Sequence, residues 1–272
     1  MPVLTKTVLA KTADLEVRDV RCRTYLSSWS PPEQSVRFVV VFVRRGCFWR
    51  SAGGRESLLD STIAYFSRPG DEQRFAHPRD GGDTCTAIHL SKDLLASIWG
   101  GEPGLPERPA FTTPRLDLEQ RLLVSKARGA DDDEATERVV SLVADVLEQS
   151  EPERVAAGRP ATAADRARVV AAAREALAAD PRLDLLELAR RVAVSPHHLS
   201  RQFRAVTGGT VTRHRNRLRV RLALDRLAEG EPSLARLAAE LGFADQAHLA
   251  RVVRAETGSP PSHLRAVLSA RG

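Results

Sequence analysis

Two stretches about fifty residues apart repeat one local pattern, and few folds accommodate it. In the first, Asp184 is placed to cap a helix. Glu187, three residues on, completes a capping box, and Leu183 with Leu188 fits a hydrophobic staple. That helix is expected to reach about Val192. Ala193 and Val194 leave room for only a short turn before Ser195 caps a second helix, with Pro196 at its first position. Leu199, Phe203 and Val206 are expected on its inner face, and Gly208 stops it. In the second stretch Ser233 opens a helix with Leu234, Leu237, Ala238 and Leu241 inside. Gly242, Phe243 and Ala244 make the turn, and Asp245 caps a partner helix. Leu249, Val252 and Val253 face inward there, and Gly258 ends it. A helix, a very short turn and a second helix form a helix-turn-helix unit. One such pattern is common among helical hairpins; two of matching length are far more specific.

The residues between the units, 210–227, read as one helix of about 18 residues, which spans ~27 Å. Major-groove faces on one side of a duplex recur every ~34 Å. One rigid helix of this length can therefore hold two groove-entering helices in adjacent grooves, which gives the duplication a geometric reason. In such a unit the N-terminal exposed residues of the second helix reach base edges. Those are His197, Ser200 and Arg201 in the first unit, and Gln246, Ala247, Ala250 and Arg251 in the second. Arginine pairs with guanine, glutamine with adenine, and alanine touches the thymine methyl. Arg204 and Arg254 lie a turn further on and suit phosphates. Arg213, Arg215, Arg217, Arg219 and Arg221 look like a further phosphate stripe. Each step of two turns ~200° on a helix, so they cannot share a face; Arg219 is the candidate for a structural role.

Charge agrees with a polyanionic partner. The chain carries a formal +6, but residues 160–272 hold 19 Arg against 11 acids, whereas residues 1–159 hold 22 cations against 24 acids. The whole surplus lies with the helix-turn-helix units.

Ahead of them the periodicity differs. Residues 15–90 read as β-rich, led by the β-branched and aromatic run 36–43, with further candidates at 46–50, 62–66 and 84–90 between glycine and proline turn signals. Helices are expected at 91–99, 114–128 and 133–149. Val139, Leu142, Val143, Val146 and Leu147 stripe one face of the last, to pack on the β-structure or to form a dimer surface. The expected organisation is a β-rich domain over 1–150, a linker over 151–162 and a helical domain over 163–272. The short run between Lys6 and Lys11 is too brief for a signal-peptide core, and no run of eighteen apolar residues exists, so the expectation is a cytoplasmic chain with no membrane span. Cys22, Cys47 and Cys85 are too scattered for a zinc ribbon or a disulfide framework and read as reduced, mostly buried thiols, with a redox or metal sensor as the minor reading.

The helical part resembles the AraC/XylS family of bacterial transcription regulators. Gly242-Phe243-Ala244-Asp245-Gln246-Ala247-His248-Leu249-Ala250-Arg251-Val252-Val253-Arg254, followed by Gly258 and Pro261, is close to that family's signature. Asn216, Arg219, Ala223 and Leu227 fit its connecting helix, and Leu188, Ala189, Ser195, Leu199, Arg201, Phe203 and Gly208 fit its first unit. Ala247, Val253, Leu264 and His214 depart from it. The resemblance implies an α+β chain: an N-terminal cupin-like β-barrel or sandwich with trailing helices, then an all-α domain of two helix-turn-helix units joined by a long helix. It implies a sequence-specific regulator of transcription that binds double-stranded DNA. Such a regulator is controlled by a small organic effector in the N-terminal domain, can homodimerise, and meets RNA polymerase if it activates. Trp29, Phe48, Trp49, Tyr65 and Phe75 are candidates to line the effector site, with Arg50, Arg55, Arg68 and Arg74 favouring an acidic ligand.

Chemistry is not expected in the N-terminal part. Only His77 and His89 precede residue 197, no H-x-H exists, and Gln73 stands where a cupin ligand histidine is frequent. No catalytic residue, metal or cofactor is assigned. The alternative is a cupin-like metal-dependent enzyme with an accessory DNA-binding module; a purely architectural DNA binder is a third reading. A repair alkyltransferase would need a four-cysteine site that three cysteines cannot supply.

Overall fold

From Phe38 to Val43 the β-branched and aromatic run of the N-terminal half is apolar at every position, and the fold shows why. In this computed structural model, which describes residues 3–23, 28–78, 82–99, 101, 104–126, 132–150 and 160–269, the run becomes a central strand covered on both faces. The strands are β1 (Val3–Lys11), β2 (Leu15–Arg23), β3 (Glu33–Gln34), β4 (Phe38–Arg45), β5 (Cys47–Ala52), β6 (Arg55–Asp60), β7 (Ile63–Ser67), β8 (Glu72–Ala76), β9 (Gly82–Leu90) and β10 (Ala110–Phe111). They form a six-stranded sheet in the order β1-β2-β9-β4-β7-β10 and a four-stranded sheet in the order β3-β8-β5-β6. No ladder joins the two sheets among the described residues. Of the two expected architectures, barrel or sandwich, the pairing fits an open sandwich.

Alternation along β4 splits the core in two. Val40 and Phe42 point to a layer of helices, with Leu15, Val17, Ile88 and Leu90. Val39, Val41 and Val43 point to the second sheet, with Phe48, Leu59, Tyr65 and Cys85. At the bend between β4 and β5, Gly46 has φ +83°, and a Cβ there would stand 2.0 Å from the Gly82 carbonyl oxygen, so the backbone approach requires glycine.

The helical layer is α1 (Lys92–Trp99), α2 (Pro114–Lys126) and α3 (Asp132–Glu148). Val139, Leu142, Val143, Val146 and Leu147 are all buried in the cluster that packs on the six-stranded sheet. The stripe on α3 is therefore spent on that sheet, and the dimer-surface alternative for it is set aside. Helix α2 serves two cores. Leu116 and Leu123 face the sheet, whereas Leu118 and Leu122 join the cluster of the C-terminal helices.

Residues 151–159 of the expected linker lie outside the described residues. Its last three, 160–162, are the first turn of α4 (Pro160–Ala179), where proline loses no needed donor. Then follow α5 (Leu185–Arg191), α6 (Pro196–Thr207), α7 (Val211–Ala228), α8 (Leu234–Glu240), α9 (Gln246–Thr257) and α10 (Pro261–Ser269). Helix α7 supplies both helical cores: Val211 and Leu218 to the first, Val220, Ala223, Leu224 and Leu227 to the second.

Buried charges fasten these helices to the β-structure. Asp60, at the end of β6 and fully buried, takes Arg174 of α4 with Nη2 at 2.7 Å. Arg221 of α7, also fully buried, donates to both the carbonyl and the hydroxyl oxygen of Thr112 at 2.9 Å. Arg121 of α2 pairs with Asp117 and with Asp225 of α7, and donates to the Arg44 carbonyl oxygen. Among the described residues no helix is long and apolar enough to cross a membrane.

Candidate nucleic-acid interface and cavity

The two helix-turn-helix units are built by the same local chemistry. Asp184 caps α5 in a full capping box with Glu187, and Ser195 caps α6 by accepting from the His198 N–H at 3.1 Å. Ser233 caps α8, and Asp245 caps α9 through the His248 N–H at 2.6 Å. Both second helices have twelve residues and stop at a left-handed glycine, Gly208 or Gly258. Each is closed by a threonine that donates back into its last turn: Thr207 to the Phe203 oxygen, Thr257 to the Val253 oxygen. The turns differ at one point. Gly242 has φ +74° where the first unit places Ala193 at φ +55°, a conformation that costs an L-residue roughly 1–2 kcal/mol.

Seven residues were expected to face bases. His197, Arg201, Gln246, Ala247 and Arg251 are exposed, and Ser200 and Ala250 are half-buried. Arg204 and Arg254, expected on phosphates, are exposed. Among the described residues none of the four arginines is in an ion pair, unlike Arg226 and Arg236 nearby, which share Glu231. Leu199, Phe203, Leu249 and Val253 are buried as the periodicity requires. Val206 is not: it is 41% exposed, because it sits in the last turn, beyond the reach of the α4–α5 core.

The arginines of α7 divide as the helical turn angle demands. Arg213 is exposed. Arg215 donates to the Leu183 oxygen, and Arg219 to the Pro181 oxygen at 2.8 Å, so both fasten the α4–α5 connection. Arg219 also lies over the Phe243 ring, its guanidinium 5.5 Å from the centroid. Burial pulls its pKa down to about 10. The structural role expected for Arg219 is met, and Arg221 has one that periodicity did not reveal.

Between the sheets lies a cavity of about 700 Å³. Phe48, Tyr65 and Phe75 line it as an edge-packed aromatic cluster, and Trp29 lines it while 38% exposed. Trp49, also expected there, does not: it alternates with Phe48 along β5 and so faces the other side. Nor do Arg50, Arg55, Arg68 and Arg74; the cationic lining comes from Lys6, Arg18 and Arg37. Arg50 is buried instead, stacked on Tyr65 and donating to the Phe66 oxygen.

One wall of this cavity is polar in a way the spacing of residues hides. Cys22 of β2, Asp83 of β9 and His77 just after β8 converge, their donor atoms all within 4.8 Å of one another. His77 Nε2 is 2.7 Å from Asp83 Oδ1, and the Cys85 thiol donates to Asp83 Oδ2 at 3.1 Å. Burial lowers the His77 pKa, but its bonds to Asp83 and Cys22 outweigh this and carry it to about 9. His89, in the same cavity wall, is pulled by burial and by Arg18 to about 4.

Residues 188–266 match the model of a helix-turn-helix domain family. No curated protein sequence matches the chain. Among solved structures the chain is similar to ToxT from Vibrio cholerae strain SCE256 bound to an unsaturated fatty acid, at 9% identity and a TM-score of 0.39, over 95% of this chain and 97% of that one. It is also similar to a cupin domain from Bordetella pertussis, at 17% identity and a TM-score of 0.28, over 33% of this chain and 95% of that one. A cupin domain of Schizosaccharomyces pombe Cnp3 matches 36% of this chain at 11% identity and a TM-score of 0.30, with 72% of that chain covered. The two capped units on one connecting helix thus form a helix-turn-helix domain, which the family model matches over residues 188–266.

Proposed function

We propose that α6 and α9 enter adjacent major grooves of a specific operator, with His197, Ser200, Arg201, Gln246, Ala247, Ala250 and Arg251 at base edges and Arg204 and Arg254 on phosphates. One observation carries the reading: arginines at matched places on two equally capped helices are exposed and, among the described residues, have no carboxylate partner, while neighbouring arginines are paired. Arginines left free on a surface that presents helix N-termini are suited to a polyanion. Ala247 and Ala250 offer only apolar contact, so the second unit reads fewer bases than the first.

Control comes from an apolar small organic effector in the cavity between the sheets. An effector acts only by binding one arrangement of the protein better than another. Two buried connections lead from the cavity's sheets to α7, which spaces the two units: Asp60 to Arg174 and His214, and the Arg44 carbonyl through Arg121 to Asp225. The working place is the cytoplasm; a homodimer and a contact with RNA polymerase belong to the same reading, and no catalysed reaction does.

The test is a titration of genomic fragments followed by footprinting. Arg201→Ala should weaken operator binding by ~1–3 kcal/mol and relax one base position, while Arg204→Ala weakens all sequences alike. Affinity should fall steeply with added salt. Operator affinity untouched by Arg201→Ala would rule out this placement of α6.

A further inference from the structure

The cavity wall holds the ingredients of a metal centre. Cys22, His77 and Asp83 come from three separate segments, yet their Sγ, imidazole nitrogen and carboxylate oxygen lie within 4.8 Å of one another. His77 and Asp83 are 8% and 9% exposed, so this is not a solvated acidic patch. All three residues line the cavity, which gives an ion a route in and leaves one side of it open. Asp83 is already oriented, because the Cys85 thiol donates to Oδ2 while Oδ1 faces His77. Such outer partners commonly fix a ligating carboxylate. Arg44, which donates to the Cys85 carbonyl at 3.4 Å, is itself paired with Asp19.

We propose that Cys22, His77 and Asp83 bind one thiophilic divalent cation of the zinc type, with a fourth coordination position turned to the cavity. Thiolate and imidazole select zinc or cobalt over magnesium or calcium. Charge argues for a divalent ion: thiolate and carboxylate together supply two negative charges, so the site is neutral when filled, as burial requires. Bonds of ~2.0–2.3 Å in a tetrahedron set ligand atoms roughly 3.3–3.8 Å apart. The His77–Asp83 contact of 2.7 Å must open slightly, which side-chain rotation supplies. Binding displaces the Cys22 thiol proton, and the second imidazole proton where His77 is protonated; both go to solvent.

The site shares the cavity with the proposed effector but requires neither it nor DNA, so its test uses neither. The full chain is dialysed against zinc ion and analysed for bound metal, and is then titrated with cobalt(II), whose bond to thiolate gives a charge-transfer absorption. The expected result is one ion per chain. Asp83→Asn should weaken it at least tenfold, Cys22→Ser should also abolish the cobalt–thiolate band, and Cys47→Ser should change neither. Circular dichroism of each variant separates loss of a ligand from loss of the fold. Substoichiometric zinc in the folded wild-type chain would overturn the assignment. So would a thiolate band that survives Cys22→Ser and disappears in Cys85→Ser.

Discussion

Replacing Asp60 by asparagine tests the junction between the β-structure and the first helix-turn-helix unit. Asp60 is fully buried. Its Oδ1 accepts from the Thr62 N–H at 2.8 Å and hydroxyl at 2.6 Å, and its Oδ2 accepts from Arg174 Nε at 3.0 Å. His214 Nε2 stands 3.7 Å away. Burial alone would raise this carboxyl; Arg174, His214 and Thr62 together hold it at about 2. Asparagine keeps the size and can still accept from Thr62, but it turns an amide N–H toward Arg174 and removes the charge. Arg174, whose side chain is 10% exposed, is then a buried cation without a counter-ion. Breaking one partner of a buried pair costs about 3–5 kcal/mol, which lowers a melting temperature by roughly 6–20 °C in a chain of this size. Thermal denaturation followed by circular dichroism measures it, and hydrogen exchange should show β6 and α4 opening first. The double variant Asp60→Asn with Arg174→Met removes the stranded cation and should recover part of the loss. A single variant that loses less than ~1 kcal/mol, or a double variant no better than the sum of its parts, would refute the reasoning.

Lowering the pH should loosen the same junction. Burial holds His214 down at about 4, against an ordinary value near 6.5, so its contribution is complete above 6.5 and is lost as the pH falls towards 4; a melting temperature that rises between pH 7 and pH 5 would contradict this. Gly46→Ala should destabilise by at least ~2 kcal/mol, since φ +83° and the Gly82 oxygen leave no place for a methyl group; an unchanged urea midpoint would show the bend can relax. Ala193→Gly should be neutral or stabilising by up to ~1 kcal/mol, because relief of the left-handed conformation slightly exceeds the added chain entropy; a clear loss in urea denaturation would mean the Ala193 methyl packs usefully.

What was legible in the sequence is what is decided locally. Caps, turns and stop residues act within four positions, so the sequence alone places Asp184, Ser195, Ser233, Asp245, Gly208 and Gly258. Period also gave the prediction that alternate arginines on α7 must diverge, and they do. Strand β1 escaped notice because an exposed edge strand carries no clean alternation: of its residues, Leu4 and Val8 stay 47% and 51% exposed. Trp49 was misplaced because an aromatic pair in sequence is split across a strand's two faces.

The groups that join the two halves left no local trace. Asp60 meets Arg174 across 114 positions and Arg221 meets Thr112 across 109, and each side chain taken alone reads as a surface charge. Cys22 and His77 are also remote in sequence, and the pairing of β2 with β9, which sets Cys22 opposite Asp83, helps bring them to one wall. A sequence pattern therefore recovers the two capped helix-turn-helix units, because helix surfaces are written at short range. It does not recover the parts that connect the cavity to those helices, because buried charge is compensated by whatever the fold brings near. On this reasoning the Asp60 and Arg121 networks, rather than α6 and α9, are where substitutions should separate folding of the two halves from their coupling.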